Sequence, residues 1–417
     1  MKARIQVICG QPLPFSGCPT TGAGLRAWSL GEGLQKNGFD VVYSLPKDVL
    51  DNVPNPSEDL QQAAFDYHKL GDAVDKIKPD VVLTQGWLWA NMLPDDLQVP
   101  LAIDLTGPYL LESVFSRVED QSQMPFLKLQ ALRRADFITC AGLYQKHYFL
   151  PWLLLAGHDL KQDVCHVIPM SLSPDTPEPM PPKEPVFLYS GIFLPWQDAS
   201  TVLRRLIAAL DTFGKGRLVI VAGSHPTYTF PTGDMPALVE ELRHHPRVDF
   251  TNVIPFDDLV EQTRTSTVFL DLMAHNVERE LAFTTRTVVA MWSGLPVLYN
   301  NYSELSTYIH DYQAGWTLDP DDTAAIDDTF NFIFEHPDQV RGYGENAQRL
   351  IKECLNWEIT IEPLLSFCSS PYKREQAGSH MDQMITPLDD RLWRSAIQLK
   401  NSSAYHALKG VKRCISG

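Results

Sequence analysis

Between residues 171 and 185 the chain reads SLSPDTPEPMPPKEP, six prolines in fifteen positions. Proline fixes φ and lacks an amide hydrogen, so this stretch can be neither helix nor central strand and reads as a linker. The same pattern runs on both sides of it. Before it, IQVIC (5–9), VVYSL (41–45), VVLTQ (81–85), LAIDL (101–105), FITCA (137–141) and VCHVIP (164–169) are strand-like, with amphipathic stretches at 24–37 and 59–78 between them. After it come VFLYSG (186–191), RLVIVAG (217–223), VDFTNVI (248–254), VFLDLM (268–273) and PVLYN (296–300). Helical patterns lie near 198–210, 234–244, 284–293, 322–335 and 337–355. Continuous apolar strands alternating with helices predict parallel sheets covered on both faces. The expected fold class is α/β, with Rossmann-like domains over 1–170 and 186–350 facing a central cleft. Residues 351–417 are expected to form helices that cross back toward the first domain, and a basic tail. Ligands of such sheets bind beyond the carboxyl ends of the strands, so both domains should face the cleft with those ends.

Composition narrows the partners. The 417 residues include 51 Asp and Glu against 35 Lys and Arg, a net charge of −16. That field attracts neither nucleic acid nor anionic membrane, and no nucleic-acid partner is expected. Seven cysteines lie scattered without a C-x-x-C pair, which argues against a disulfide framework and a zinc site and fits a reducing cytoplasm. No run approaches the ~18 apolar residues of a membrane span, and the N-terminus reads as a strand rather than a signal peptide. The segment 391–413 interleaves Arg391, Arg394, Lys400, Lys409, Lys412 and Arg413 with Trp393, Ile397 and Leu408. It could dock on anionic lipid, peripheral to the inner membrane, or pack on its own acidic protein.

Three segments carry candidate chemistry. The first β–α turn, GQPLPFSGCPTTGAGLRAW (10–28), opens a helix near Gly24, where exposed N–H groups suit a phosphate and Arg26 adds positive charge. It is neither G-x-G-x-x-G nor a Walker loop, which disfavours a nicotinamide dehydrogenase and a P-loop enzyme, and a merely flexible loop is the alternative. In IDLTGPYLLE (103–112), Asp104 stands at a strand end with Glu112 two helical turns on, either of them placed to take a proton from an acceptor. Asp104 as a turn cap is the competing reading. In the second half, Glu278, Arg279, Glu280 and Arg286 gather around a strand end and the next helix start, as ligand groups or as a solvated loop with ion pairs. Trp87 and Trp89 could stack on a sugar or pack in a core. His225 sits at another strand end.

The run VAMWSGLPV (289–297) resembles the second half of the donor-binding motif E-A-M-A-x-G-x-P-V of GT-B glycosyltransferases similar to family 4. It is closer to a subgroup of bacterial surface-polysaccharide enzymes with E-x-x-F-x-x-R-x-x-D-Y-x-W-A-G-L-P. There Glu280, Phe283, Arg286, Trp292, Gly294, Leu295 and Pro296 match, and Val289-Ala290 replaces the D-Y pair. GAGLRAWSLGEGLQKNGFDV (22–41) and YSGIFLPWQD (189–198) are similar to two further subgroup segments. The resemblance spans residues 4–365 and implies a GT-B fold with no required metal or other cofactor. The implied activity moves a hexosyl or deoxyhexosyl group from a nucleotide-sugar donor to a glycan, lipid-linked or small-molecule acceptor, in polysaccharide or glycoconjugate synthesis. Residues and resemblance together nominate Gly24, Arg26, Gly191, His225, Glu280, Phe283, Thr284 and Arg286 for the donor, and Asp104, Glu112 and Glu280 for catalysis. The second glutamate of the family pair falls at Val289, and Trp196 and Asp198 stand where an Arg/Lys pair usually neutralises the diphosphate. Arg286 and Arg26 are then the candidates for that charge. A non-catalytic GT-B relative that binds a sugar nucleotide or glycan, and a sugar-nucleotide 2-epimerase, are the alternatives.

Overall fold

The computed structural model describes residues 2–116, 123–227, 229 and 231–375; the basic segment 391–413 lies outside them. The strand-like runs form two separate sheets. The first comprises β1 (Arg4–Ile8), β2 (Asp40–Ser44), β3 (Val81–Gln85), β4 (Leu101–Asp104), β5 (Phe137–Cys140) and β6 (His166–Val167), in the order β2-β1-β3-β4-β5-β6. The second comprises β7 (Val186–Ile192), β8 (Arg217–Gly223), β9 (Val248–Thr251), β10 (Val268–Asp271), β11 (Val297–Asn300) and β12 (Gly315–Leu318), in the order β12-β11-β10-β7-β8-β9. All these pairings are parallel. β3, β4 and β5 are buried along their whole length, which is why their sequences are apolar without alternation. The order reverses between β1 and β3 in one sheet and between β7 and β10 in the other. Those are the points where a crevice opens beyond the strand ends.

Some elements depart from the sequence pattern. The stretch 59–78 is two helices, Glu58–Ala63 and Leu70–Ile77, because Phe65 leaves the helix to bridge Pro46 beside the sheet. The helix Leu143–Leu155 carries no polar stripe and contains Pro151. Among the described residues no helix is long and apolar enough to cross a membrane.

The proline-rich linker is strapped down rather than free. Trp292 Nε1 donates to the Ser173 carbonyl at 2.9 Å, Gln348 Nε2 to Pro177 at 2.7 Å, and Arg264 Nε to Glu178 at 2.7 Å. All three donors belong to the second domain, so the linker lies along it. The chain then returns. After the helix Pro337–Cys354, Asn356 bridges Leu172, and Ile361, Leu364 and Phe367 enter the first domain's core beside Ile5, Val7 and Leu83. Phe367 stacks on Phe137 with ring centroids 4.6 Å apart.

The two domains touch directly as well. Leu25 packs among Val288 and Val289, and Trp28 tilts against Phe256 at 6.1 Å. The Tyr144 N–H donates to Glu304 Oε2 at 2.9 Å, and Thr227 Oγ1 to Gln11 Oε1 at 3.2 Å.

Because Phe367 fills the first core from the far end of the chain, Phe367→Ala should cost about 3 kcal/mol of stability. Denaturant unfolding reads it as a lower midpoint; an unmoved midpoint would show that the returning helix carries no weight there.

Candidate active site

The second domain supplies a fixed cation. Arg286 is the second residue of the helix Thr285–Trp292, which starts beyond the carboxyl ends of β7 and β10. Its Nε and Nη2 donate to Asp271 Oδ1 at 3.0 and 2.6 Å, and its Nη1 donates to Gln197 Oε1 at 2.9 Å. Thr287 Oγ1 holds the other Asp271 oxygen. The guanidinium lies so close to Gly191 that a Cβ there would collide with Nη1, so glycine is needed at this strand end. Nη1 also lies 3.4 Å from the Ser190 carbonyl and Nη2 3.3 Å from Met273 Sδ, and the side chain is 14% exposed.

Around it the nominated residues separate. Phe283 and Thr284 are buried: Phe283 meets Tyr308 edge-on at 6.0 Å, and the Thr284 hydroxyl sits 3.0 Å from Tyr299 Oη. They form the floor under the helix start and are not on a ligand-facing surface. Glu280 turns outward, its carboxylate 3.4 Å from exposed His275, an ion pair worth little in water. The buried carboxylate of that short helix, Val277–Leu281, is instead Glu278, held by Arg279 through bonds of 2.6 and 2.9 Å. Asn276 caps the helix, accepting from the Arg279 N–H at 3.0 Å, and its Nδ2 donates to the Trp196 carbonyl at 2.8 Å. His225 accepts the Thr227 N–H on Nδ1 at 3.2 Å. Burial lowers its ring to about 4, so it is neutral near pH 7.

On the first domain, Arg26 and Asp104 find each other. Arg26 Nη2 and Nε donate to Asp104 Oδ1 and Oδ2 at 2.9 and 3.2 Å, with side-chain exposures of 3% and 0%. Thr139 Oγ1 also donates to Asp104 Oδ1 at 2.7 Å, and Arg26 Nη1 to the Pro169 carbonyl at 2.9 Å. The expectation that Arg26 meets the donor phosphates and Asp104 takes a proton is therefore corrected. Both lie inside the fold with their polar atoms engaged, 78 residues apart in the chain. Gly24 is a packing position too, because a Cβ would strike the Pro12 carbonyl and the Thr20 hydroxyl. Trp89 packs between Phe65 and Tyr67, and Trp87 meets Tyr109 edge-on, so neither is presented to a sugar.

Glu112 is the first-domain carboxylate that does face the boundary. It rides on the helix Tyr109–Phe115, against which the helix Val277–Leu281 of the second domain packs. Thr106, in the turn between β4 and this helix, has φ of +43°, a conformation a β-branched residue adopts only under constraint. Burial first, and then the like charge of Glu278, raise the Glu112 carboxyl to about 8, with Arg279 opposing. Asp271, Gln197, Glu278 and Arg279 complete the site and were not singled out together by sequence. Asp271 had a signal, an acid closing an apolar strand. Among the described residues no group of three or more His, Cys, Asp or Glu could hold a metal ion.

No family model and no curated protein matches the chain. Solved structures do match in fold. Sucrose-phosphate synthase of Thermosynechococcus elongatus superposes with a TM-score of 0.63 at 18% identity, over 88% of this chain and 98% of that one. Anabaena HepE in complex with UDP-glucose gives 0.63 at 14% identity, over 88% of this chain and 100% of that one. An α-glucosyltransferase in complex with UDP gives 0.56 at 11% identity, again over 88% and 100%. The chain thus has the two-domain α/β fold of the GT-B glycosyltransferases.

Two expectations follow. Asp104→Asn leaves Arg26 charged and uncompensated in the interior, and should cost roughly 3–5 kcal/mol in a denaturant melt; a near-neutral result would mean water reaches the pair. Glu112 keeps its proton up to about pH 8 when folded, whereas an unfolded glutamate releases it near ~4.3. The folded state holds the extra proton between those values, so this residue makes stability fall as pH rises through that window. Glu112→Gln cannot ionise and should flatten that fall, its melting temperature converging on wild type near pH 5 and exceeding it at pH 9. Parallel curves would remove Glu112 from the buried boundary.

Proposed function

We propose that this chain transfers a sugar from a nucleotide-activated donor to a hydroxyl of a glycan, lipid-linked or small-molecule acceptor, in polysaccharide or glycoconjugate synthesis. The observation that carries the reading is the facing of Glu112 on one domain by the Glu278–Arg279 pair on the other, on two packed helices that follow β4 and β10. Arg286 supports it from the donor side. Its guanidinium, fixed by Asp271 and Gln197, lies beside the start of a helix, and both favour a diphosphate.

The bond between the sugar's anomeric carbon and the diphosphate oxygen breaks, and its electron pair leaves with the nucleotide. Arg286 stabilises that growing charge without reorganising. The acceptor oxygen bonds to the anomeric carbon and gives up its proton to the Glu112 carboxylate. Only ionised Glu112 can accept it, so turnover should climb with pH toward about 8. Asp104, with both oxygens held, takes no part in this step.

The three solved structures named above include two that hold UDP or UDP-glucose, which makes UDP-sugars the first probes. Arg286→Ala should weaken UDP binding by about 1.5–3 kcal/mol, the worth of a charged hydrogen bond. Glu112→Gln should leave binding intact and cut sugar transfer or donor hydrolysis ~10²–10⁴-fold. Calorimetric titration and release of UDP measure the two. A wild-type chain that binds no nucleoside diphosphate would overturn the reading.

A further inference from the structure

We propose that the indole N–H of Trp196 is a hydrogen-bond donor reserved for a hydroxyl of the sugar carried by the nucleotide. The inference rests on the reading of the cleft as a nucleotide-sugar site. Trp196 stands in the turn after β7, 6% exposed, and its Nε1 is fully buried with no hydrogen-bond partner in the protein. Buried indole N–H groups nearly always find an acceptor, and one that does not asks for an explanation.

Its surroundings give one. The next residue, Gln197, turns to Arg286, the group assigned to the diphosphate. The Trp196 carbonyl is tied to Asn276, which caps the helix bearing Glu278 and Arg279. The turn that carries Trp196 is thus tied to the diphosphate end of the site through Gln197 and to its carboxylates through Asn276, the two ends that a transferred sugar spans. The ring is covered from the first domain by Phe115, at 6.4 Å between centroids and tilted by 50°. Phe115 shares its short helix with Glu112. On this proposal a donor sugar would reach the indole where Phe115 covers it, at the contact between the two domains. Phosphate oxygens have Arg286, and Glu278 has Arg279. A neutral oxygen of the sugar is the acceptor left for an uncharged N–H.

The test titrates the full chain with UDP, and with UDP-glucose, UDP-galactose and UDP-N-acetylglucosamine. It compares wild type with Trp196→Phe and with a chain carrying 3-benzothienylalanine at position 196, which keeps the ring shape and replaces N–H by sulfur. Both variants should bind UDP as wild type does. Both should bind the sugar nucleotide that wild type prefers roughly tenfold more weakly, the equivalent of about 1.4 kcal/mol. Unchanged affinity for that sugar nucleotide in the benzothienylalanine chain overturns the inference, as does an equal loss for UDP and its sugars. A wild-type chain that binds neither overturns the reading of the cleft, and this inference with it. Unchanged variants of a wild type that binds overturn the inference alone.

Discussion

The buried pair of Arg26 and Asp104 is the contact on which the first domain's arrangement depends. Two charges withdrawn from water are costly, and their mutual attraction compensates only when the remaining hydrogen-bonding capacity is used. Here it is: Thr139 serves the carboxylate and the Pro169 carbonyl serves the guanidinium. The pair thereby joins β4, the neighbouring β5, the helix Gly22–Lys36 and the segment that leaves the domain. That helix carries the consequences outward. Ser29 Oγ donates to the Ser171 carbonyl at 2.6 Å, Trp28 meets Trp357 edge-on at 5.5 Å, and Leu25 enters the second domain's core.

The site at the boundary is built the opposite way. Its groups come from both domains and are only partly satisfied. Glu112 is held in a protonated state by its surroundings, and the Trp196 N–H is left without a partner. The Arg26–Asp104 pair inside the first domain has its hydrogen-bonding capacity used, while the Trp196 N–H near the boundary has no partner within the protein.

Much of the fold was legible because parallel strands are buried on both faces and read as unbroken apolar runs. β3, β8 and their neighbours need no partner to be recognised. The helix Leu143–Leu155 was not, since its polar residues Gln145, Lys146 and His147 are consecutive and form no stripe, and a periodic signal needs a polar face. β12, half-buried at every residue, lacked the alternation of one exposed face and the continuity of two buried ones. Arg286 and Glu112, nominated from their places at a helix start and after a strand, do stand on the two elements nearest the boundary that this reading uses. Arg26 and Asp104 were misassigned because a strand-end acid looks the same whether it meets a ligand or a helix 78 residues away in the chain. Glu280 was nominated from the motif match, and motif spacing does not tell which of Glu278 and Glu280 is buried, since residues two positions apart in a helix turn to opposite sides.

The chain passes between its domains twice, and the two passages run side by side where Leu172 bridges Asn356. A single covalent tether would let one body swivel about any direction. Two abutting strips, with Leu355 and Trp357 hydrogen-bonded to either side of Leu172, act like the spine of a book. They leave the covers one easy axis and resist twist and slip. Since the linker from Ser173 onward is held on the second cover, the width of that spine is only a few residues. Glu112 and Arg286 lie on opposite sides of that spine, one on each cover.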